Sequence, residues 1–392
     1  MEERIIDKIV LKSKNLVKWA AKFKKQRYLY NELLKISKEY FIGIKGIRGV
    51  GKTVLMLQLA RKWKDSVYFL ADSPLVKNFS LYEIVQALIK RGYKNIFIDE
   101  IHRKAEWDRD IKGIYDEHEA RVIFSGSSAI DLAKTSADLS RRVVLKELKI
   151  SSFREFLNIK KGFSIPKIEF QRLIKNKKEL AKKYLDAYEF FEEYLTYGGV
   201  LYPKMGFFDA MENALRKTIS QDMEYLREIN IKYEEDAYKL LYLIARSLPF
   251  ETNYSRIAKA LEVSKTMAIR LVSDLCKAGI IIRIMPCRKK GVDIKKEPKL
   301  YLNIPLRNFF KKIGLEINRG ALREEFFVNH LKDVCYIKGE RGEKTPDFRF
   351  GEYIIEVGGR AKSRYQNADF IAVEGLNTEK NKIPLFLFGF VY

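Results

Sequence analysis

Cysteine and histidine are scarce in this sequence, with three of each in 392 residues. Cys276, Cys287 and Cys335 share no metal-ligand spacing, so neither a zinc site nor a disulfide framework is expected, and a reducing cytoplasm fits best. No apolar run approaches the ~20 residues that cross a bilayer, which argues against a membrane span. The opening stretch MEERIIDKIVLKSKNLV begins on acids and lacks an apolar core, unlike a signal peptide. Acids are in short supply as well. The chain has 51 Asp and Glu against 75 Lys and Arg, a formal charge of +24 and a pI near 9.6. A thermophile's Lys-, Glu-, Ile- and Tyr-rich composition would add both signs together, so it does not account for the excess. The imbalance predicts a polyanionic partner, nucleic acid before an anionic membrane surface. Linkers rich in Pro, Gly or Ser, repeats and low-complexity tracts are also missing, so the domains are expected to pack directly on one another.

The length predicts two or three domains, and 47% apolar residues give each a sizeable core. Residues 1–40 read as Lys-rich amphipathic helices. Short apolar runs then alternate with helical patterns at Tyr40–Lys45, Val67–Ala71, Asn95–Asp99, Arg121–Ser125 and Val143–Leu148. Runs of this kind predict an α/β fold with a parallel sheet and crossover helices on both faces. From 151 to 248 the strand signal stops and a 3.6-residue period takes over. A helix–turn–helix pattern occupies 249–310, and 311–392 returns to mixed strand and helix. The expected domains are therefore 1–150, 151–248, 249–310 and 311–392.

Residues 46–53, GIRGVGKT, match G-x-x-x-x-G-K-[ST] in full. The strand YFIGIK enters this string and the helix TVLMLQLARKW leaves it, which is the context a phosphate loop needs. Gly46, Gly49, Val50, Gly51, Lys52, Thr53 and Val54 would wrap the phosphates of ATP at a helix N-terminus. Lys52 would neutralise the β- and γ-phosphates, and Thr53 would offer its hydroxyl to Mg²⁺. Further along, the strand NIFIDE ends in two acids. Asp99 is expected on the metal side, and Glu100 is placed to orient or deprotonate the attacking water. Ser125 and Ser127, after the next apolar run, would approach the γ-phosphate or the water; a helix N-cap is an equal reading. Arg142 would reach a neighbouring subunit's nucleotide in a homo-oligomer, or else be half of a solvated basic pair with Arg141. Arg48 and His102 read as local structure.

GIRGVGKT, the strand with DEIH, VIFSGSSAIDL and SRRVVLKELKISSFREFL together resemble a group of AAA+ ATPases. These are predicted archaeal and bacterial ATPases that often carry an uncharacterised C-terminal domain of the DUF4143 type. Ser140-Arg141 replace the small-Gly pair of that family and Ile150 replaces a Leu, while Tyr197-Gly198-Gly199 resembles its helical-lid motif. The resemblance spans roughly residues 25–305. It implies the nucleotide roles given above, with Arg142 acting in trans.

Two further patterns carry chemistry. Tyr254–Leu261, a turn at 262–264 and a helix from Lys265 to Ala278 are expected to form a winged helix, with Ile280–Met285 and Leu300–Leu302 as its hairpin. Lys265, Thr266 and Arg270 on the second helix, and Arg288, Lys289 and Lys290 in the basic loop, would contact DNA. A structural lid over the nucleotide is the competing role. In the last segment, TPDF followed by YIIEV resembles the core of PD-(D/E)xK nucleases. The resemblance implies metal-holding carboxylates at Asp347 and Glu356, and an assisting acid at Glu324 or Glu325. Gly358 stands where the lysine should be, and Lys362 is the only substitute offered nearby. A degenerate, non-cleaving domain is expected. Three functions compete: a DNA-acting ATPase, a STAND-like signalling switch and an ATP-coupled nuclease.

Overall fold

A computed structural model describes residues 3–127, 139–223, 231–249, 252–287, 297–339, 345–362 and 367–392. The chain divides into two compact units, Met1–Lys149 with Gln221–Arg227, and Ile150–Ser220 with Glu228–Tyr392.

The first unit is built on strands β1 (Phe41–Lys45), β2 (Ser66–Leu70), β3 (Asn95–Asp99), β4 (Arg121–Gly126) and β5 (Val143–Glu147). All are parallel, in the order β2-β3-β4-β1-β5. Every strand falls within one residue of its sequence expectation, because the inner strands of a sheet covered on both faces are apolar over their central positions. β4 is buried along its whole length. Phe97 and Phe124 are fully buried, and each such side chain contributes roughly 1.5–3 kcal/mol. Helices Glu3–Ala20, Lys52–Lys62, Leu81–Lys90 and Trp107–Glu117 alternate with the strands or precede them. Leu81–Lys90 starts from a capping box, in which Ser80 accepts from the Glu83 N–H and the Glu83 side chain accepts from the Ser80 N–H. Parallel pairing puts the C-terminal ends of β1, β3 and β4 on one edge of the sheet. Ligands of open α/β sheets bind at that edge.

The second unit begins with helices. Phe153–Lys160, capped by Ser152 and Glu155, and Phe191–Tyr197 pack their aromatic rings on helix Arg319–His330. Phe153 lies 6.3 Å from Phe326 and 5.8 Å from Phe390, and Phe191 lies 4.8 Å from Phe326, centroid to centroid. Segments far apart in sequence therefore share one aromatic core. Helices Ile231–Arg246, Tyr254–Leu261 and Lys265–Lys277 follow, and Ser264 caps the last by accepting from the Met267 N–H at 3.1 Å. β6 (Ile281–Ile284) and β7 (Lys299–Leu302) pair antiparallel. The C-terminal sheet contains β8 (Cys335–Tyr336), β9 (Phe348–Phe350), β10 (Tyr353–Gly358), β11 (Phe370–Val373) and β12 (Lys382–Pro384), in the order β12-β11-β10-β9-β8. Its β10-β11-β12 half is parallel, and its β8-β9-β10 half antiparallel.

One sequence expectation is overturned: Cys287 and Cys335 form a disulfide, with Cα atoms 4.9 Å apart. The cause is tertiary pairing. Cys287 donates its N–H to the Tyr336 carbonyl at 2.9 Å, and Tyr336 donates to the Met285 carbonyl at 3.0 Å. These bonds lay the chain after β6 alongside β8, which no sequence spacing could reveal.

Candidate nucleotide site

The phosphate loop follows β1. Gly46 is required by its surroundings, since a Cβ there would lie 2.5 Å from the Leu148 carbonyl oxygen. Gly51, the cap of the next helix, has φ +97°, a left-handed conformation that disfavours side chains. The helix then opens with Lys52, whose side chain turns back into the loop. Its ammonium donates to the Gly46 carbonyl at 2.7 Å and the Ile47 carbonyl at 3.2 Å. Burial lowers the Lys52 pKa, while Glu100 and Asp99 pull it back up.

Thr53, one residue on, donates its hydroxyl to Asp99 Oδ2 at 2.6 Å. Asp99 ends β3 and is fully buried. It accepts further hydroxyl donors, Tyr68 at 2.7 Å on Oδ2 and Ser125 on Oδ1. The Tyr68 phenol is raised above its usual range, by burial first and Asp99 second. Thr53 and Asp99 present hard oxygen atoms within one hydrogen bond of each other, the donor chemistry Mg²⁺ takes, so the residues fit that ion. Ser125 lies at the acidic pair itself. Its hydroxyl joins Asp99 to the Glu100 N–H, which it accepts at 3.2 Å, so it positions the acidic pair. Ser127 is buried beside the same strand end.

Glu100 follows β3 in a left-handed conformation, with φ +55°. Burial raises its pKa against the opposing pull of Lys52, a shift toward the range a general base needs. Two residues read as local structure from the sequence converge on it. His102 Nε2 lies 3.3 Å from Glu100 Oε2, and Arg48 Nη2 lies 3.9 Å from the same oxygen. Burial pushes the His102 imidazole down to about 4, so it is neutral at physiological pH. The fourth member, Asp222, carries no sequence signal. It is fully buried and accepts Arg48 in a two-pronged pair at 2.9 and 2.7 Å. Arg103 also reaches it, at 3.4 Å.

The remaining sequence candidates fall in three places. Arg142 precedes β5, at the end of the sheet opposite the phosphate loop. It pairs with Asp116 at 2.8 and 3.0 Å and lies over the Tyr115 ring. Lys265, Thr266 and Arg270 are solvent-exposed on helix Lys265–Lys277, beside exposed Ile269 and Lys277. Arg288, Lys289 and Lys290 lie outside the described residues.

The carboxylates of the C-terminal sheet are partly gathered. Asp347 accepts from the Val357 N–H at 2.8 Å, and its pKa is raised to about 8 by burial and by Glu324 and Glu356. Glu324 accepts the Tyr301 hydroxyl at 2.9 Å. Glu325 is separately committed to Arg307, 2.8 Å away. Lys362 reaches back to Glu356 at 2.6 Å, through the space a side chain on Gly358 would fill: a Cβ there would lie 2.3 Å from Lys362 Cγ. Among the described residues, no three His, Cys, Asp or Glu groups are close enough to hold a metal ion.

Comparison with known proteins bears on both ends of this picture. An AAA domain pattern matches residues 38–157, and a domain of unknown function (DUF8612) matches 189–303. Two uncharacterised proteins of Methanocaldococcus jannaschii are similar to the chain. One is 27% identical over 363 residues, covering 85% of this chain and 75% of the relative. The other is 26% identical over 320 residues, covering 76% and 67%. AMPPCP-bound DnaA from Aquifex aeolicus aligns over 64% of this chain and 87% of its own, at 16% identity and a TM-score of 0.27. PCH-2 of C. elegans covers 69% of each chain at 13% identity, with a TM-score of 0.25. No helix among the described residues is long and apolar enough to cross a membrane. The segment that matches the AAA domain pattern, residues 38–157, contains both the phosphate loop and the acid-tipped strand.

Proposed function

We propose that this protein is a Mg²⁺-dependent ATPase acting on DNA. The observation that carries the reading is the 2.6 Å hydrogen bond between Thr53 and Asp99, with Glu100 next in the chain. Thr53 and Asp99 would hold the ion, which when bound screens charge on the phosphates. Lys52 neutralises the β- and γ-phosphates. Glu100, its basicity raised by burial, takes the proton from the attacking water, and Ser125 fixes the Glu100 backbone while it does so. His102, 3.3 Å from Glu100, is neutral and so leaves the charge of the base unquenched. In a homo-oligomer, Arg142 serves a neighbouring copy's nucleotide after releasing Asp116.

DNA contact rests on the +24 charge and on the exposed Lys265, Thr266 and Arg270. They line a helix that follows a short helix and a turn and precedes an antiparallel pair, the arrangement of a winged helix. The experiment is ATP turnover with and without duplex and single-stranded DNA. Several-fold stimulation supports the reading. Indifference to DNA, together with no salt-dependent binding, removes DNA and leaves the signalling switch.

The C-terminal sheet supports a second reading, as a nuclease-like site whose lysine has moved from position 358 to Lys362. The 2.6 Å approach of Lys362 to Glu356 favours it. Mg²⁺-dependent DNA cleavage lost in both Asp347→Ala and Lys362→Ala would establish it, and absence of cleavage by the wild type would leave a binding domain.

A further inference from the structure

Asp222 is out of place for a nucleotide site. Phosphates carry negative charge, yet a fully buried carboxylate lies against the loop that would wrap them. It belongs to the same compact unit as that loop. Its charge is balanced chiefly by Arg48, which gives it two donors of its guanidinium, with Arg103 at 3.4 Å as a weaker partner; the neutral His102 ring lies 3.9 Å away. Arg48 is itself a loop residue, between Ile47 and Gly49 of the GIRGVGKT string, and its Nη2 lies 3.9 Å from Glu100. A guanidinium beside the candidate base is also beside the phosphoryl group that base would serve.

We infer that Arg48 is a γ-phosphate sensor and that Asp222 is the anion it exchanges for the phosphate. An arginine edge that makes a two-pronged pair with a carboxylate can make the same pair with a phosphate, and Asp222 holds the Nε–Nη2 edge of Arg48, so a phosphate that takes this edge displaces it. Asp222 therefore competes with the terminal phosphate for Arg48. The competition is confined to triphosphates, because a diphosphate places no anion next to Glu100. Asp222 is thus a positioning residue that sets the preference for ATP over ADP. Its move away from Arg48 is the event by which the loop registers that a triphosphate has arrived. Arg103 remains to keep the released Asp222 paired.

This inference rests on the nucleotide reading of the loop, and one set of binding measurements separates the two. ATP and ADP affinities are measured by fluorescent-nucleotide displacement for the wild type, Asp222→Asn, Arg48→Met and the double variant. Asp222→Asn is expected to tighten ATP about tenfold and leave ADP nearly unchanged. Arg48→Met is expected to bring the ATP:ADP ratio close to one, and Asp222→Asn on that background to do nothing more. An ordinary structural ion pair would instead weaken both nucleotides together in either single variant, and that result overturns the inference. Should Asp222→Asn fail to fold, Arg48→Met decides alone: an ATP:ADP ratio unchanged from the wild type overturns the exchange. If the wild type binds neither nucleotide, the nucleotide reading falls and the inference with it.

Discussion

The Thr53 hydroxyl and the Asp99 carboxylate, 46 positions apart in sequence, meet at 2.6 Å. The phosphate loop and the acid-tipped strand thus form one site. Asp99→Asn keeps the shape and removes the charge that would hold Mg²⁺. It is expected to weaken Mg²⁺-dependent ATP binding by about 10- to 100-fold, from the ~1.5–3 kcal/mol of charged hydrogen bonds. Binding titrated with and without Mg²⁺ checks this, and an unchanged Mg²⁺ dependence would remove Asp99 from the metal.

Among the described residues Lys52 donates to the Gly46 and Ile47 carbonyls, and both bonds are replaceable by phosphate oxygens. Lys52→Ala is expected to abolish measurable nucleotide binding while leaving the thermal midpoint within a few degrees of the wild type. Tight ATP binding by that variant, read by calorimetry, would contradict the site assignment.

Buried His330 gives the second unit a pH dependence. Its Nε2 lies 2.9 Å from the Phe153 N–H, which must donate to an unprotonated nitrogen, and its Nδ1 lies 2.7 Å from the Phe326 carbonyl. Burial pushes its pKa from 6.5 down to about 4. The unfolded chain takes up a proton below pH 6.5, whereas the folded chain resists until about 4. The neutral ring's stabilisation is therefore complete above pH 6.5 and is lost as pH falls toward 4, by roughly 3 kcal/mol. Thermal midpoints between pH 8 and 4.5 should drop more steeply for the wild type than for His330→Gln.

Arg307 and Glu325, each 1% exposed, pair at 2.8 Å. The Arg307 guanidinium also donates to the Ala245 and Ser247 carbonyls, and Glu325 accepts the Leu302 N–H. Removing one charge strands the other in the core. Glu325→Gln is expected to cost roughly 3–5 kcal/mol, seen in denaturant unfolding. A loss below ~1 kcal/mol would show that the pair is relaxed by solvent.

The exposed face of helix Lys265–Lys277 makes a prediction about salt. Replacing Lys265 and Arg270 together by Ala should lower the slope of log affinity for DNA against log salt by about 2. An unchanged slope would assign DNA contact elsewhere.

The first unit was legible because its information is local. Each strand carries a short, mostly apolar run, and the phosphate loop needs its glycines and lysine in one short string. What was hidden depends on long-range contacts. Asp222 reaches Arg48 across 174 positions and stands in a helical stretch with no motif of its own, so neither it nor the roles of Arg48 and His102 could be read. The Cys287–Cys335 bond needs the chain after β6 laid along β8, and the sequence separation of 48 carries no hint of that. Glu324 and Glu325 are adjacent and looked interchangeable. Their different partners, Tyr301 and Arg307, come only from which face of the helix each occupies.

Glu100 serves as the general base of the proposed ATPase. The direct test is steady-state ATP turnover by the wild type and Glu100→Gln in saturating Mg²⁺, with ATP affinity measured on both. Affinity is expected to stay within a few-fold and turnover to fall by about 10²–10⁴ in the variant. Equal turnover in the two proteins would contradict that role.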